Sequence, residues 1–205
     1  MDLKNWKLTL DVEDPKTKKV MEVTDLKCFD HPHFMRLEDH IKFKAKCGGR
    51  TTSGSKYPRS ELRELINGKL ASWDTMKGKH VMKWECAVTH LPKVKSQVVV
   101  GQIHDDKDDV IEIRHSGDFV EVFHDDIKYG KLITNYKLGD KYSASIEVSN
   151  GKIAIHSGST SIIVPTKSKN CYFKLGCYVQ SNVSKGDSPE EYGEVKLYSV
   201  EVKHE

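Results

Sequence analysis

A two-residue alternation of apolar and polar side chains recurs along all 205 residues and leaves few folds open to this chain. Tyr172 to Gln180, YFKLGCYVQ, is the cleanest case: Phe173, Leu175, Cys177 and Val179 fall on one parity, and Tyr172, Lys174, Gly176, Tyr178 and Gln180 on the other. Successive strand side chains point to opposite faces, so such a segment buries one wall and displays the other. HIKFKAKC, HVMKWECAV, SQVVVGQIH, DVIEIRH, DFVEVFHD, YSASIEVS, KIAIHS, TSIIVP and GEVKLYSVEVKHE follow the same rule. Turn residues separate them: Asn67-Gly68, Ser116-Asp118, Leu138-Asp140, Asn150-Gly151 and Ser157-Ser159. Asn-Gly between alternating segments is the strongest short hairpin signal. Many short strands joined this way predict an all-β sandwich or jelly roll of antiparallel sheets. With no linker, internal repeat or low-complexity run, residues 1–205 read as one domain. The one helical expectation is a short turn over Phe34 to Asp39.

The partners of such a chain are bounded by its charge. Charged residues make up 31% and the net charge is only +3, too mild for the basic patch of a nucleic-acid binder. It suits a polyanion if the positive charge is focused in one cleft. No apolar run approaches the roughly 18 residues that span a bilayer. MDLKNWKLTL lacks the apolar core of a signal peptide. The chain is therefore expected either to be made without one or to have lost it. The five cysteines show no CxxC spacing, which argues against structural zinc and for reduced, buried thiols.

Three stretches carry polar groups that one strand face would display together. In YPRSELRE, Arg59, Glu61 and Arg63 share a parity. By charge alone this is a solvated, ion-paired strand; functionally, Glu61 orients its neighbours while an arginine clamps a carboxylate. In VVVGQIH, Val99, Gly101 and Ile103 form one face, and Gln102 and His104 rise on the other. That sets an amide donor beside an acid/base imidazole, although a lone histidine at a sheet rim needs no role. In the third, Tyr178 lies four residues from Lys174, with Tyr172 and Gln180 alongside. A phenol there can donate a proton or, with a depressed pKa, accept one. HDDKDDVIE lacks the spacing of a calcium loop and reads as a solvated rim. His31 and His33 read as surface residues. A retaining glycosidase needs two carboxylates about one bond, and no strand face carries such a pair.

In this order the three stretches resemble the alginate lyases of polysaccharide lyase family seven. The hallmark strands stand here as Arg59-Ser60-Glu61-Leu62-Arg63, Gln102-Ile103-His104 and Tyr172 through Gln180. NWKLTL, TTSGSKYP and KVKSQVVVGQIH extend the likeness over nearly the whole chain. Val179, where many relatives carry Asn, and CFDHPHFMRLEDH depart from the pattern. The resemblance implies a jelly roll whose concave face is a polysaccharide groove, and β-elimination of a uronate polymer without metal or organic cofactor. It maps the catalytic group onto Arg59, Gln102, His104 and Tyr178. Glu61, Arg63, Lys174, Tyr172 and Gln180 form the substrate-binding set. It also implies an anionic polysaccharide as partner, a monomer, an exported enzyme and, through Ile103, a lean toward guluronate-containing blocks. A lyase for another polyuronate such as glucuronan, and a module that binds polyuronate without cleaving it, are the alternatives. His104 and Tyr178 together favour the enzyme.

Overall fold

A computed structural model describes residues 1–205. Its strands are β1 (Trp6–Glu13), β2 (Val20–Val23), β3 (Phe34–Arg36), β4 (Ile41–Lys46), β5 (Arg59–Ile66), β6 (Lys69–Leu70), β7 (Lys79–His90) and β8 (Gln97–His104). They continue with β9 (Asp109–Ser116), β10 (Phe119–His124), β11 (Ile127–Ile133), β12 (Tyr142–Ser149), β13 (Lys152–Ser157), β14 (Thr160–Pro165), β15 (Tyr172–Val179) and β16 (Tyr192–His204). Two antiparallel sheets result. The nine-stranded sheet runs β11-β10-β9-β8-β15-β5-β1-β2, with β6 on β5; the seven-stranded sheet runs β14-β13-β12-β7-β16-β4-β3. This is the expected jelly roll. The three segments with display faces, far apart in sequence, are adjacent in space as β8-β15-β5.

Hairpin chemistry behaves as its residues dictate. Asn67 and Gly68, and Asn150 and Gly151, all take positive φ, as a type I′ turn requires. Asp125 and Asp126 do the same between β10 and β11, although Asp-Asp is not an evident turn signal. The expected helical turn over Phe34 to Asp39 does not form. Phe34 begins β3 instead, pairs with Phe43 and is fully buried against its ring, with centroids 5.3 Å apart. Burial of one large aromatic outweighs the slight local preference for helix.

The core lies between the sheets and is built from the apolar parities: Leu62, Ile103, Phe173 and Leu175 from one side, Phe43, Met82 and Trp84 from the other. Two departures from simple alternation shape the site. Val99 pairs with Arg114 and Gly101 with Ile113, so Val100 is an extra residue, a β-bulge. Val98 and Val100 therefore join the core cluster while Val99 does not, which corrects the parity that grouped Val99 with Gly101. The bulge resets the strand so that Gln102 and His104 emerge on the same face as Arg114. Gly176 (φ 153°) permits a close approach: a Cβ there would sit 2.6 Å from the Ser60 carbonyl oxygen.

All five cysteines are free; Cys28 is exposed and the other four are buried. No helix is long and apolar enough to cross a membrane. One carboxylate, Glu64, sits on the core parity of β5 and is buried. It accepts bonds from Trp73 Nε1 (3.0 Å) and the Phe173 amide (2.9 Å), and pairs with His204 Nε2. His204 Nδ1 meets His80 Nδ1 at 2.7 Å, and His80 Nε2 meets the Lys77 carbonyl at 2.8 Å. A carbonyl only accepts, so His80 carries a proton on Nε2. This chain fastens the C-terminal strand of one sheet to β5 of the other. Glu64→Ala leaves two buried N–H groups unpaired, each at about 1–3 kcal/mol. We expect denaturant unfolding to show a loss of about 2–6 kcal/mol; a loss below about 1 kcal/mol would remove the clasp from the stability of the sandwich.

Candidate active site

The outer face of β5, β15 and β8 carries a row of charged and polar side chains that are nearly as buried as the core. Arg59, Glu61, Gln102 and Lys174 are all buried, with Glu61 at 1% exposure. The expectation from charge alone, a solvated ion-paired strand, is corrected here. Strand pairing sets these groups opposite one another: Lys174 faces Arg63 and Gln102, Gly176 faces Glu61, and Tyr178 faces Arg59 and Val99. Their long side chains then cover each other.

Glu61 is the hub. One carboxylate oxygen, Oε2, accepts from Lys174 Nζ at 2.6 Å and Arg59 Nη1 at 3.1 Å. Its other oxygen, Oε1, accepts from the Gln102 amide nitrogen. Burial alone would raise the Glu61 pKa, but the charges of Lys174 and Arg59 outweigh it and hold the group below the ordinary carboxylate range. Burial pushes Lys174 down to about 8, with Glu61 pulling the other way and Arg59 adding to the drop. A carboxylate so enclosed orients an amide and two cations, with both of its oxygens engaged.

The two rings at the ends of this row are held differently. The Arg59 guanidinium lies over the Tyr178 ring, 3.8 Å from its centroid. The Tyr178 phenol oxygen is 2.9 Å from Ser55 Oγ. Burial raises its pKa despite Arg59 and Ser55, so the phenol is protonated at neutral pH, and its oxygen is set up to give a proton. Arg63 covers Tyr172 in the same way at 3.8 Å. The Tyr172 hydroxyl reaches His104 Nδ1 at 3.1 Å, and the Asp105 carbonyl reaches the same nitrogen at 2.6 Å. Because that carbonyl only accepts, Nδ1 carries the proton and Nε2 keeps its lone pair. Burial lowers the His104 pKa, opposed by the Asp105 carbonyl and aided by Lys174. A neutral imidazole with an open Nε2 is the protonation state that a base needs. Gln180 is buried and its amide nitrogen has no partner, and the same holds for Nε of Arg59 and of Arg63.

All nine residues singled out from the sequence thus lie on three neighbouring strands or, for Gln180, directly after one. Others were missed. Ser55 and the Asp105 carbonyl carry no side-chain pattern that would mark them. Farther along the sheet, Glu112 pairs in register with Gln102, and Arg114 binds Glu112. Two carboxylates, Glu61 and Glu112, therefore flank Gln102 from different strands, an arrangement that inspection of single strand faces does not reveal. Both are engaged by arginine. Asp109, Glu112 and Asp126 bring carboxylate oxygens within 4.8 Å of one another. The Arg114 guanidinium lies among them, 3.5 Å from Asp126. Burial and the Glu112 charge raise Asp109 to about 7, so this part of HDDKDDVIE is not the solvated rim expected. Likewise His33 is half-buried and bonded to the buried carboxylate of Asp11, not a free surface residue.

Glu61→Gln removes the charge that compensates Lys174 and Arg59. Breaking one side of a buried ion pair costs about 3–5 kcal/mol. Chemical denaturation should show that loss together with a lower Lys174 pKa; unchanged stability would mean that water, not Glu61, solvates the two cations.

The family model described as "Alginate lyase" matches residues 1–204. Among solved structures, the chain is similar to alginate lyase AlgAT5 from polysaccharide lyase family 7, at 44% identity and TM-score 0.95, covering 100% of this chain and 96% of that one. It is similar to the alginate lyase from Corynebacterium sp. at 36% identity and TM-score 0.93, again over 100% and 96% of the two chains. A variant of alginate lyase A1-II′ solved in complex with product (GGG) matches at 27% identity and TM-score 0.85, over 100% and 97%. No match is found among the curated proteins. The family model spans nearly the whole chain, and two relatives above 30% identity are matched over almost their full length, so the chain belongs to the alginate lyase family, as a polysaccharide lyase that cleaves alginate.

Proposed function

We propose that Arg59, Gln102, His104 and Tyr178 carry the elimination, with Arg63, Lys174, Tyr172 and Gln180 binding the polymer. In a uronate, the C5 proton lies beside a carboxylate whose negative charge opposes a carbanion. Arg59 and the free N–H of Gln102 neutralise that carboxylate as it becomes enediolate-like, and preorganised electrostatics of this kind usually contribute most to a rate enhancement. His104 Nε2 removes the C5 proton. The electron pair forms the C4–C5 double bond, the C4–O4 bond breaks, and Tyr178 protonates O4. Where proton and leaving group lie on one side of the ring, Tyr178 can serve both ends. Lys174 offers charge to a neighbouring carboxylate and holds the chain in register. Glu61 acts through the groups it holds and does not touch substrate.

The observation that carries this reading is geometric: the Asp105 carbonyl holds His104 Nδ1 at 2.6 Å and leaves Nε2 open, while Arg59 lies over the Tyr178 ring and Ser55 Oγ sits 2.9 Å from its oxygen. We further propose that residues 1–205 act as one catalytic unit, as a monomer, on a polyuronate and not on nucleic acid or a membrane. Guluronate-containing blocks are the preferred substrate. Ile103 is fully buried in the core, so its influence on that preference runs through the positions of Gln102 and His104.

Defined mannuronate, guluronate and glucuronate polymers test the assignment, with the conjugated C4–C5 double bond followed by ultraviolet absorbance. Tyr178→Phe and His104→Ala should lose about 10²–10⁴-fold in kcat with circular dichroism unchanged. Near-normal turnover by Tyr178→Phe would exclude the phenol, and equal rates on glucuronate would shift the substrate class. The pH profile of kcat/KM gives a second check, since it reports the free enzyme. Activity should rise through a limb below the ordinary histidine value of 6.5, because the lowered His104 pKa leaves the base neutral early. It should fall near pH 8 as Lys174 loses its proton. Lys174→Arg should carry the descending limb upward; an unmoved limb would assign it to another group.

A further inference from the structure

Tyr178 does not stand alone at its oxygen, and its neighbour comes from a loop with no catalytic signature. Ser55 lies between β4 and β5, in TTSGSKYP. Its Oγ accepts the Tyr57 amide N–H at 3.0 Å and can donate to the Tyr57 carbonyl at 3.1 Å. The same Oγ is 2.9 Å from the Tyr178 oxygen. The loop is pinned for this purpose. Asn182 Nδ2 donates to the Lys56 carbonyl at 2.9 Å, and Pro58 restricts Tyr57 to extended conformations. The Tyr57 ring sits 6.5 Å from that of Tyr178, and Lys95 Nζ lies 5.0 Å from the Tyr57 ring centroid.

Hydrogen counting at Ser55 gives two arrangements. The hydroxyl has one hydrogen and two acceptor sites. With Tyr178 protonated and idle, Tyr178 donates to Ser55 Oγ, and Ser55 donates onward to the Tyr57 carbonyl; every group is satisfied. Once the Tyr178 O–H has turned from Ser55 to the leaving oxygen and passed its proton to O4, the residue is a phenolate and can only accept. The Ser55 hydrogen then needs only a rotation about its C–O bond to leave the Tyr57 carbonyl and point at the phenolate. The Tyr57 N–H continues to hold Oγ in place throughout. A hydrogen bond to an ionised acceptor is roughly twice as strong as a neutral one, so the rotation follows the charge.

We propose that Ser55 is a positioning residue for the elimination, a hydroxyl rotor that aims the Tyr178 phenol in its resting state and stabilises the phenolate left behind when the leaving oxygen is protonated. The inference rests on the role assigned to Tyr178 above. The proton balance is closed: C5–H gives its proton to His104 Nε2, its electron pair forms the double bond, the C4–O4 pair stays on oxygen, and that oxygen takes the Tyr178 proton. Ser55 gains and loses none. The imidazolium and phenolate then return to their resting forms by exchange with water.

The test compares Ser55→Ala, Ser55→Thr and Tyr178→Phe in the full chain on alginate. Ser55→Ala should lower kcat about 10–100-fold with KM within about twofold, less than the 10²–10³ lost with a donor aimed at the reacting oxyanion itself. Ser55→Thr, which keeps the hydroxyl, should recover to within about threefold of the parent. Phenolate absorbance, titrated as the difference between chains with and without Tyr178→Phe, should place the Tyr178 pKa higher when Ser55→Ala is also present. A merely structural role for the loop would not move that titration. Full kcat in Ser55→Ala beside an inactive Tyr178→Phe overturns the rotor and spares the phenol; so does a Ser55→Thr variant as slow as Ser55→Ala. Activity in Tyr178→Phe overturns the assignment underneath.

Discussion

A carboxylate without solvent, Glu61, holds the active face together. Three strands meet there, and each brings a group that bonds to its carboxylate: Arg59 from β5, Lys174 from β15, Gln102 from β8. Two cations packed this closely out of water destabilise each other. With Glu61 between them, both are held by ion pairs to one carboxylate. In the proposed mechanism such fixed charges need little reorganisation when negative charge moves onto the uronate carboxylate.

The same face separates the two protons of the reaction. His104 and Tyr178 are both buried enough to resist ionisation, but in opposite senses: burial lowers the imidazole and raises the phenol. In the proposed mechanism this suits one as the base and the other as the acid, and each has a backbone or side-chain neighbour at its polar atom. The Asp105 carbonyl sets the tautomer of His104, and Ser55 Oγ lies 2.9 Å from the phenol oxygen. Acid and base arise from one common solvent exclusion, with opposite outcomes because the neutral form of one lacks a proton and that of the other retains it.

The sandwich beneath supplies rigidity at defined points. The bulge at Val100 turns β8 so that Gln102 and His104 face outward while Ile103 remains in the core. Gly176 lets β15 lie close on the Ser60 carbonyl. The Glu64–His204–His80 chain clasps the two sheets at one end. Each ties a site strand to something it cannot slide against, and this keeps the three functional segments in register.

The alternation, the hairpin turns and the parity of Arg59, Glu61, Arg63, Lys174 and Tyr178 are legible in the chain alone, because the two-residue period of a strand is a local property. The order of the three motifs also carries the family. Packing settled what no local pattern contains. The Phe34 segment became a strand because Phe43 lay across from it, Val99 changed sides because of an unpaired residue, and Glu61 went from exposed ion pair to buried hub because two other strands covered it. Ser55 and Tyr178 are 123 positions apart, and Glu61 and Gln102 are 41 apart. Contacts at such separations depend on strand order and register, which follow from how the whole hydrophobic pattern closes, not from any residue taken with its sequence neighbours.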